Sequence, residues 1–105
     1  MVHILMATYN GGRYLKEQIE SILCQTHNDW SLLIADDGST DDTLSIIREY
    51  EQRFPQKISL LTTEPSGSAQ NNFFRLLLSC EGDYIMFCDQ DDVWKAEKIE
   101  KTLSV

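Results

Sequence analysis

No apolar run in this 105-residue chain approaches the roughly 20 residues that a membrane-spanning helix needs. The apolar run at the amino terminus, residues 2–7, has the length of a strand, and no basic segment precedes it as in a signal peptide. We therefore expect these residues to be soluble, with any membrane association carried by residues outside them.

Basic residues are few: nine stand against 17 acidic residues, which gives a formal net charge of −8. Such a charge repels polyanions and argues against DNA or RNA as a partner. Seven of the 17 acidic residues lie in two short stretches, Asp36, Asp37, Asp41 and Asp42 in one and Asp89, Asp91 and Asp92 in the other. Carboxylates this close together need a cation, a helix amino terminus or water to offset their repulsion.

Cysteine is also scarce, and the three that occur, Cys24, Cys80 and Cys88, have no zinc-ligand spacing. An odd number of cysteines without a signal peptide is typical of reduced thiols in a cytoplasmic protein. We predict all three to be small, buried, apolar side chains.

The chain has only five glycines, and they form neither a G-x-G-x-x-G fingerprint nor a Walker phosphate loop. Gly11 and Gly12 instead predict a tight turn, with Asn10 as the cap of the helix that follows. In the first acidic stretch, Ser39 or Thr40 is expected to cap the helix that follows.

Apolar runs alternate with amphipathic segments along the whole chain. The runs of strand length are 2–8, 30–35, 58–63 and 84–88. The segments with helical spacing are 15–23, a second that starts at 40 or 41 and stops before Pro55, 73–78, and 93–103. This order predicts an α/β fold of three layers, with a mostly parallel sheet between helices.

In such sheets, ligands bind at the carboxyl ends of the strands. That edge would hold 8–10, 36–37 and 89–91, which include the acidic residues of both stretches that directly follow strands. The Tyr9 ring could flank a flat base or simply pack on the turn. Asp36 and Asp37 could accept hydrogen bonds from a base or a ribose, or belong only to an Asp-Gly turn.

Asp89 and Asp91 are two residues apart, so on an extended segment their side chains point the same way. Two carboxylates with an open face suit Mg²⁺ or Mn²⁺, which keep water ligands and accept phosphate oxygens. The alternative is a solvated acidic turn before the last helix, in which Asp92 serves as the cap.

Three strings, ATYNGGRYLKEQIESILCQT, LLIADDGSTDDTLSII and GDYIMFCDQDDVW, resemble the successive signatures of inverting family 2 glycosyltransferases. The last resembles the rhamnosyltransferase-like branch of bacterial polysaccharide enzymes. The resemblance implies a GT-A fold, with residues 1–105 as the amino-terminal part that binds a nucleotide-diphosphate sugar. The acceptor-binding part and the catalytic base are expected outside these residues, so this part alone should not transfer sugar efficiently.

The resemblance also implies roles for individual residues. Tyr9 and, more weakly, Thr8 correspond to positions that contact the nucleobase. Asp37 and Asp36 correspond to the acidic positions that hold the base or the ribose.

The later motif residues are carried over in the same way. Asp89 and Asp91 match the D-x-D motif, the first reaching ribose or metal and the second binding Mg²⁺ or Mn²⁺. Asn71 or Asn72 falls where the family has a polar residue near the nucleotide, although the string SAQNNF departs from the usual pattern.

The family's activity would be inverting sugar transfer to a glycan or lipid-linked acceptor in bacterial surface polysaccharide synthesis, with the full enzyme cytoplasmic or at the inner face of the plasma membrane. Two other interpretations stay open. One is a non-catalytic nucleotide-binding module. The other is a receiver-like signalling domain, although receivers carry an acidic pair after the first strand, where this chain has Thr8, Tyr9 and Asn10.

Overall fold

A computed structural model of the chain describes residues 2–63, 76, 84–88 and 94–103. Within these ranges the strands are β1 (Val2–Thr8), β2 (Trp30–Asp36), β3 (Ile58–Thr62) and β4 (Tyr84–Cys88). The helices are α1 (Gly12–Leu23), α2 (Thr43–Arg53) and α3 (Lys98–Leu103). Among the residues described, no helix has both the length and the apolar character that a membrane crossing requires.

The strands form one parallel sheet in the order β3-β2-β1-β4. The chain moves outward from β1 to β2 to β3 and then returns to pair β4 with the other side of β1. The direction of progression therefore reverses between β1 and β4, and such a reversal leaves a crevice at the carboxyl ends of the strands. The predicted α/β architecture with a parallel sheet is confirmed.

Side chains of alternate strand residues build two apolar layers, one on each face of the sheet. The larger layer contains Val2, Ile4 and Met6 of β1 and is covered by α1, α2 and the last helix. The smaller layer, on the opposite face, joins Leu5 and Ala35 to Leu76, which is helical and fully buried. Helical residues thus cover both faces, as three layers require.

Helix α1 begins after Gly11, which is its N-cap residue and makes no side-chain capping bond. The prediction that Asn10 caps this helix is wrong. Asn10 has a φ of 47°, and its side chain accepts hydrogen bonds from backbone N–H groups of the loop after β2 instead. The predicted apolar stripe is confirmed at Leu15, Ile19 and Ile22.

Helix α2 begins at Thr43, later than predicted, and its N-cap residue is Asp42 rather than Ser39 or Thr40. The later start has a physical cause: the backbone and side chains of 39–41 bond to residues near the start of α1. The helix ends at Arg53, just before Pro55, as predicted.

Helix α3 begins at Lys98 and not at residue 93. The backbone between these positions bonds to α1 and the residues after it: Trp94 N donates to Ser21 Oγ at 3.0 Å, and Gln25 Nε2 donates to Lys95 O at 2.7 Å. The predicted helix over 73–78 lies outside the described residues except for Leu76.

The cysteine prediction holds at one of two described positions. Cys88 is buried at the end of β4, whereas Cys24 is exposed just after α1, so the expectation of burial was wrong there. Cys80 lies outside the described residues.

Candidate functional site

Strands β1 and β2 end side by side, with Thr8 paired to Asp36. Thr8 Oγ1 donates to Asp36 Oδ1 at 2.7 Å. Asp36 is fully buried, and its carboxylate also accepts from Ser39 N at 2.8 Å and from Ser39 Oγ at 2.6 Å. Both carboxylate oxygens are therefore engaged inside the protein, so Asp36 fixes the loop rather than lying open to a ligand.

One residue further along each strand, Tyr9 and Asp37 reach the rim of the sheet. The backbone N–H of Asp37 donates to Thr8 O at 2.9 Å, which keeps the two chain segments together beyond the last paired residues. Tyr9 is 54% exposed and Asp37 is half-buried. Gly38, with a φ of 77°, turns the chain directly after Asp37.

Asn10 joins the turn after β1 to the loop after β2. Its backbone N–H donates to Ser39 Oγ at 2.8 Å, and its Oδ1 accepts from Thr40 N at 2.8 Å. Longer contacts of 3.4 Å link the same oxygen to Thr40 Oγ1 and Asp41 N. The two rim segments are thus one hydrogen-bonded unit.

The carboxylates of Asp41 and Asp42 lie against the amino termini of both helices. Asp41 accepts from Gly12 N at 3.2 Å, from Thr43 N at 3.0 Å and, in a very short contact, from Thr43 Oγ1. The side-chain hydrogen bond from Thr43 is the main reason why the pKa of Asp41 is lowered from 3.8. A Cβ on Gly12 would overlap Asp42 Oδ1 and lie 3.2 Å from Asp41 Oδ2, so glycine is what lets the acidic loop approach α1 so closely.

This arrangement bears on where phosphate could bind. In many nucleotide-binding α/β folds the phosphates rest on the amino terminus of the first helix. Here Asp41 and Asp42 occupy that position and already interact with the positive end of the α1 dipole. Their contacts thus make Asp41 and Asp42 partners of helix termini.

Helix α1 also holds the residues on either side of the second acidic stretch. Gln18, fully buried, donates from Nε2 to Cys88 Sγ at 3.5 Å, and Ser21 Oγ accepts from Trp94 N. Ser21 in turn donates to Gln18 O at 2.6 Å. Sequence reasoning missed Gln18, although a polar residue inside the apolar stripe of α1 is a signal that could have found it.

The structure brings four of the predicted site residues together at one edge of the sheet: Thr8, Tyr9, Asp36 and Asp37. The others, Asn71, Asn72, Asp89 and Asp91, lie outside the described residues, and their roles stay predictions. Among the described residues, no group of three or more His, Cys, Asp or Glu side chains could hold a metal ion. Asn10 and Ser39 belong to the site through their contacts and were predicted only as helix caps.

A separate cavity of about 300 Å³ lies at the opposite edge of the sheet, where β2 begins. Apolar atoms of Leu23, Trp30 and Phe54 line it, and Lys57 Nζ lies 4.1 Å from the centroid of the Trp30 ring. This cavity is remote from the rim of Tyr9 and Asp37.

Comparison with known proteins identifies the family. The model of the Glycosyl transferase family 2 matches residues 3–105. The dTDP-rhamnosyl transferase RfbG of Shigella flexneri is 42% identical over 102 residues, which cover 93% of this chain and 35% of that protein. The chain thus spans about a third of this relative's length.

Two solved structures share the fold. TarS of S. aureus superposes with a TM-score of 0.83 at 28% identity, over 98% of this chain and 19% of its own. The mannosyltransferase PcManGT of Pyrobaculum calidifontis, in complex with GDP-Man and Mn²⁺, gives a TM-score of 0.76 at 26% identity, over 89% of this chain and 28% of its own. The expected GT-A fold and the rhamnosyltransferase-like resemblance are confirmed. The chain belongs to glycosyl transferase family 2.

Proposed function

We propose that this chain is the donor-binding part of an inverting glycosyltransferase that uses a nucleotide-diphosphate sugar. The observation that carries the proposal is the rim itself: an exposed aromatic ring, Tyr9, and a half-buried carboxylate, Asp37, stand on adjoining segments at the carboxyl edge of the sheet. Family membership supports the reaction class.

Tyr9 and Asp37 have the chemistry that a nucleoside requires. The Tyr9 ring offers a flat apolar face for the base. The Asp37 carboxylate can accept a hydrogen bond from a base N–H or a ribose hydroxyl, and such charge-assisted bonds are directional. Thr8 and Asp36 support the rim from the interior, where their side chains form a hydrogen bond with each other.

The diphosphate needs positive charge, and the amino terminus of α1 does not supply it because Asp41 and Asp42 already lie there. We assign this task to Mg²⁺ or Mn²⁺ held by Asp89 and Asp91, whose oxygen ligands suit hard cations. Asp89 directly follows Cys88, which pairs with Met6 at the carboxyl end of β4, on the edge that also holds Tyr9. The Mn²⁺ in the complex of the mannosyltransferase PcManGT agrees with this choice of ion.

The reaction would be a direct displacement at the anomeric carbon. The acceptor oxygen forms a bond to that carbon while the bond to the donor's phosphate oxygen breaks, and the nucleoside diphosphate leaves with the electron pair. The acceptor proton passes to a general base. When bound, the divalent ion supplies a Lewis acid for the charge that develops on the leaving group.

Family membership supports only the chemical class of the donor sugar and of the acceptor, not their identity. Similarity to a dTDP-rhamnosyl transferase supports a deoxyhexose or hexose donor, and we propose a glycan or lipid-linked acceptor in bacterial surface polysaccharide synthesis. A module that binds nucleotide without catalysis is the alternative.

Calorimetric titration of the protein with UDP, dTDP and GDP in the presence of Mn²⁺ tests the proposal. We expect one of the three to bind, and Asp91→Asn to weaken that binding roughly tenfold or more because a carboxylate ligand is lost. Asp29→Asn is the matched control, since Asp29 is exposed just before β2, at the opposite edge of the sheet, and its loss should leave the affinity unchanged.

The outcomes separate the two interpretations. Binding that is equal in Asp91→Asn and wild type would favour a nucleotide-binding module without a metal site. If none of the three nucleotides binds, donor recognition by this chain is wrong.

A further inference from the structure

Asn10 has a backbone conformation that few side chains adopt. Its φ of 47° is left-handed, and among the described residues it is the one non-glycine position with positive φ. Asparagine tolerates this region better than most residues, yet the conformation persists only where the surroundings hold it. The residues around Asn10 hold this conformation through several hydrogen bonds.

The bonds of Asn10 connect segments that are 29 to 31 residues apart in sequence. Its amide donates to Ser39, and its side-chain oxygen accepts from the backbone of Thr40 and Asp41. With this left-handed backbone, both the amide and the side chain of Asn10 reach the loop after β2.

The two partner segments carry the proposed nucleoside contacts. Tyr9 immediately precedes Asn10. Ser39, which accepts from Asn10 N, also donates to Asp36, the residue before Asp37. A single asparagine therefore links the backbone that carries the aromatic ring to the backbone that carries the carboxylate.

We propose that Asn10 is a positioning residue for nucleoside recognition. It fixes the distance between the Tyr9 ring and the Asp37 carboxylate before the ligand arrives, so that binding does not have to order the two segments. Preorganisation of this kind raises affinity by reducing the entropy lost on binding. The inference rests on the proposed function, since Tyr9 and Asp37 must contact the nucleoside.

Three substitutions separate the side-chain acceptor from the backbone conformation. Asn10→Gly keeps the left-handed backbone and removes the acceptor. Asn10→Asp keeps an acceptor and tolerates the same backbone. Asn10→Ala loses both. Asn28→Ala, at an exposed asparagine just before β2, is the matched control.

The measurement is the dissociation constant of whichever of UDP, dTDP and GDP binds to wild type in Mn²⁺. Salt at about 0.15 M screens charges that lie more than about 8 Å apart, so the aspartate variant still adds a local charge. We expect Asn10→Ala and Asn10→Gly to bind about tenfold more weakly, as misplaced binding groups do. Asn28→Ala should stay within about threefold of wild type, and Asn10→Asp, which keeps the acceptor but adds a charge, should lose less affinity than Asn10→Ala.

A double-mutant cycle distinguishes positioning from a structural role. If Asn10 acts through the rim, Asn10→Gly should cost much less affinity in a Tyr9→Ala, Asp37→Ala background than in wild type, because the groups that it positions are gone. Equal losses in both backgrounds would overturn the inference, as would wild-type affinity in a folded Asn10→Gly variant.

Folding is checked by thermal melting of each variant. Should Asn10→Ala not fold, Asn10→Gly and Ser39→Ala decide the matter, and wild-type affinity in both would overturn the inference. Absence of nucleotide binding by wild type would instead overturn the proposed function and this inference with it.

Discussion

Neighbouring aspartates after β2 lie in opposite environments. Asp36 is the last residue of the strand and faces the interior, where it accepts three hydrogen bonds from Thr8 and Ser39. Asp37 is half-buried at the rim. Side chains alternate between the faces of a strand, so two chemically identical residues take a structural and an accessible position.

This difference predicts that the same substitution affects mainly stability at Asp36 and mainly ligand affinity at Asp37. Asp36→Asn replaces one of the two oxygens that accept hydrogen bonds from Thr8 and Ser39 with an amide NH₂, so we expect the free energy of unfolding to fall by about 1–3 kcal/mol. Asp37→Asn, at a half-buried position, should lower it less than Asp36→Asn does but weaken nucleoside-diphosphate binding about tenfold. Urea denaturation and calorimetry measure the two quantities. Equal unfolding energies for the two variants would contradict the assignment.

Tyr50 links the two long helices. Its Oη donates to Glu20 Oε1 at 2.7 Å, and burial, followed by this carboxylate, raises the pKa of Tyr50 to about 12. Because the folded-state pKa lies above the ordinary value of 10, the contribution to stability is complete below pH 10 and is lost as the pH rises toward 12.

We therefore expect Tyr50→Phe to lower the free energy of unfolding by about 1 kcal/mol below pH 10. The difference from wild type should shrink as the pH rises from 10 to about 12. Urea denaturation across this range measures it, and Tyr14→Phe, at an exposed tyrosine of α1, is the control. A difference that stays constant across the range would contradict the account.

At the scale of elements, the strands were predictable and the helix starts were not. Runs of apolar residues gave β1 and β4 with their observed bounds, because a strand buried between two layers needs little else. The starts of α1, α2 and α3 were missed because distant side chains take the backbone groups there. Asn10 and Gln25 form those bonds across 30 or more residues of sequence, and local periodicity carries no trace of them.

The site was predictable to the same extent. Strand ends alone brought Thr8, Tyr9, Asp36 and Asp37 to one edge. The positions of the strand ends do not show whether Asp36 or Asp37 is buried, because burial depends on the register that pairs Thr8 with Asp36.

Ser21 offers a test of how α1 holds the segment after the second acidic stretch. Trp94 is buried, and its backbone N–H donates to Ser21 Oγ, so Ser21→Ala removes the acceptor of this hydrogen bond. We expect unfolding to become easier by about 1–3 kcal/mol. Ser45→Ala, at an exposed serine of α2, should change it by no more than about 0.5 kcal/mol. Chemical denaturation compares them, and equal effects would show that the contact contributes nothing.

For the whole molecule, the distribution of charge is the central feature. The chain carries a net charge of −8, and the loop beside the rim places Asp41 and Asp42 on the helix terminus where a phosphate would otherwise bind. A nucleoside diphosphate would add further negative charge to that edge. We propose that its binding requires an added cation, and Asp89 and Asp91, which follow β4 in the sequence, are the predicted ligands.

The most direct test is the affinity of wild-type protein for its nucleoside diphosphate measured with Mn²⁺ and again with a chelator in its place. The account predicts that affinity falls at least about tenfold without the metal, equivalent to about 1.4 kcal/mol. It also predicts that the corresponding nucleoside, which lacks phosphates, binds equally in both conditions. Diphosphate binding that is unchanged by removal of Mn²⁺ would contradict it.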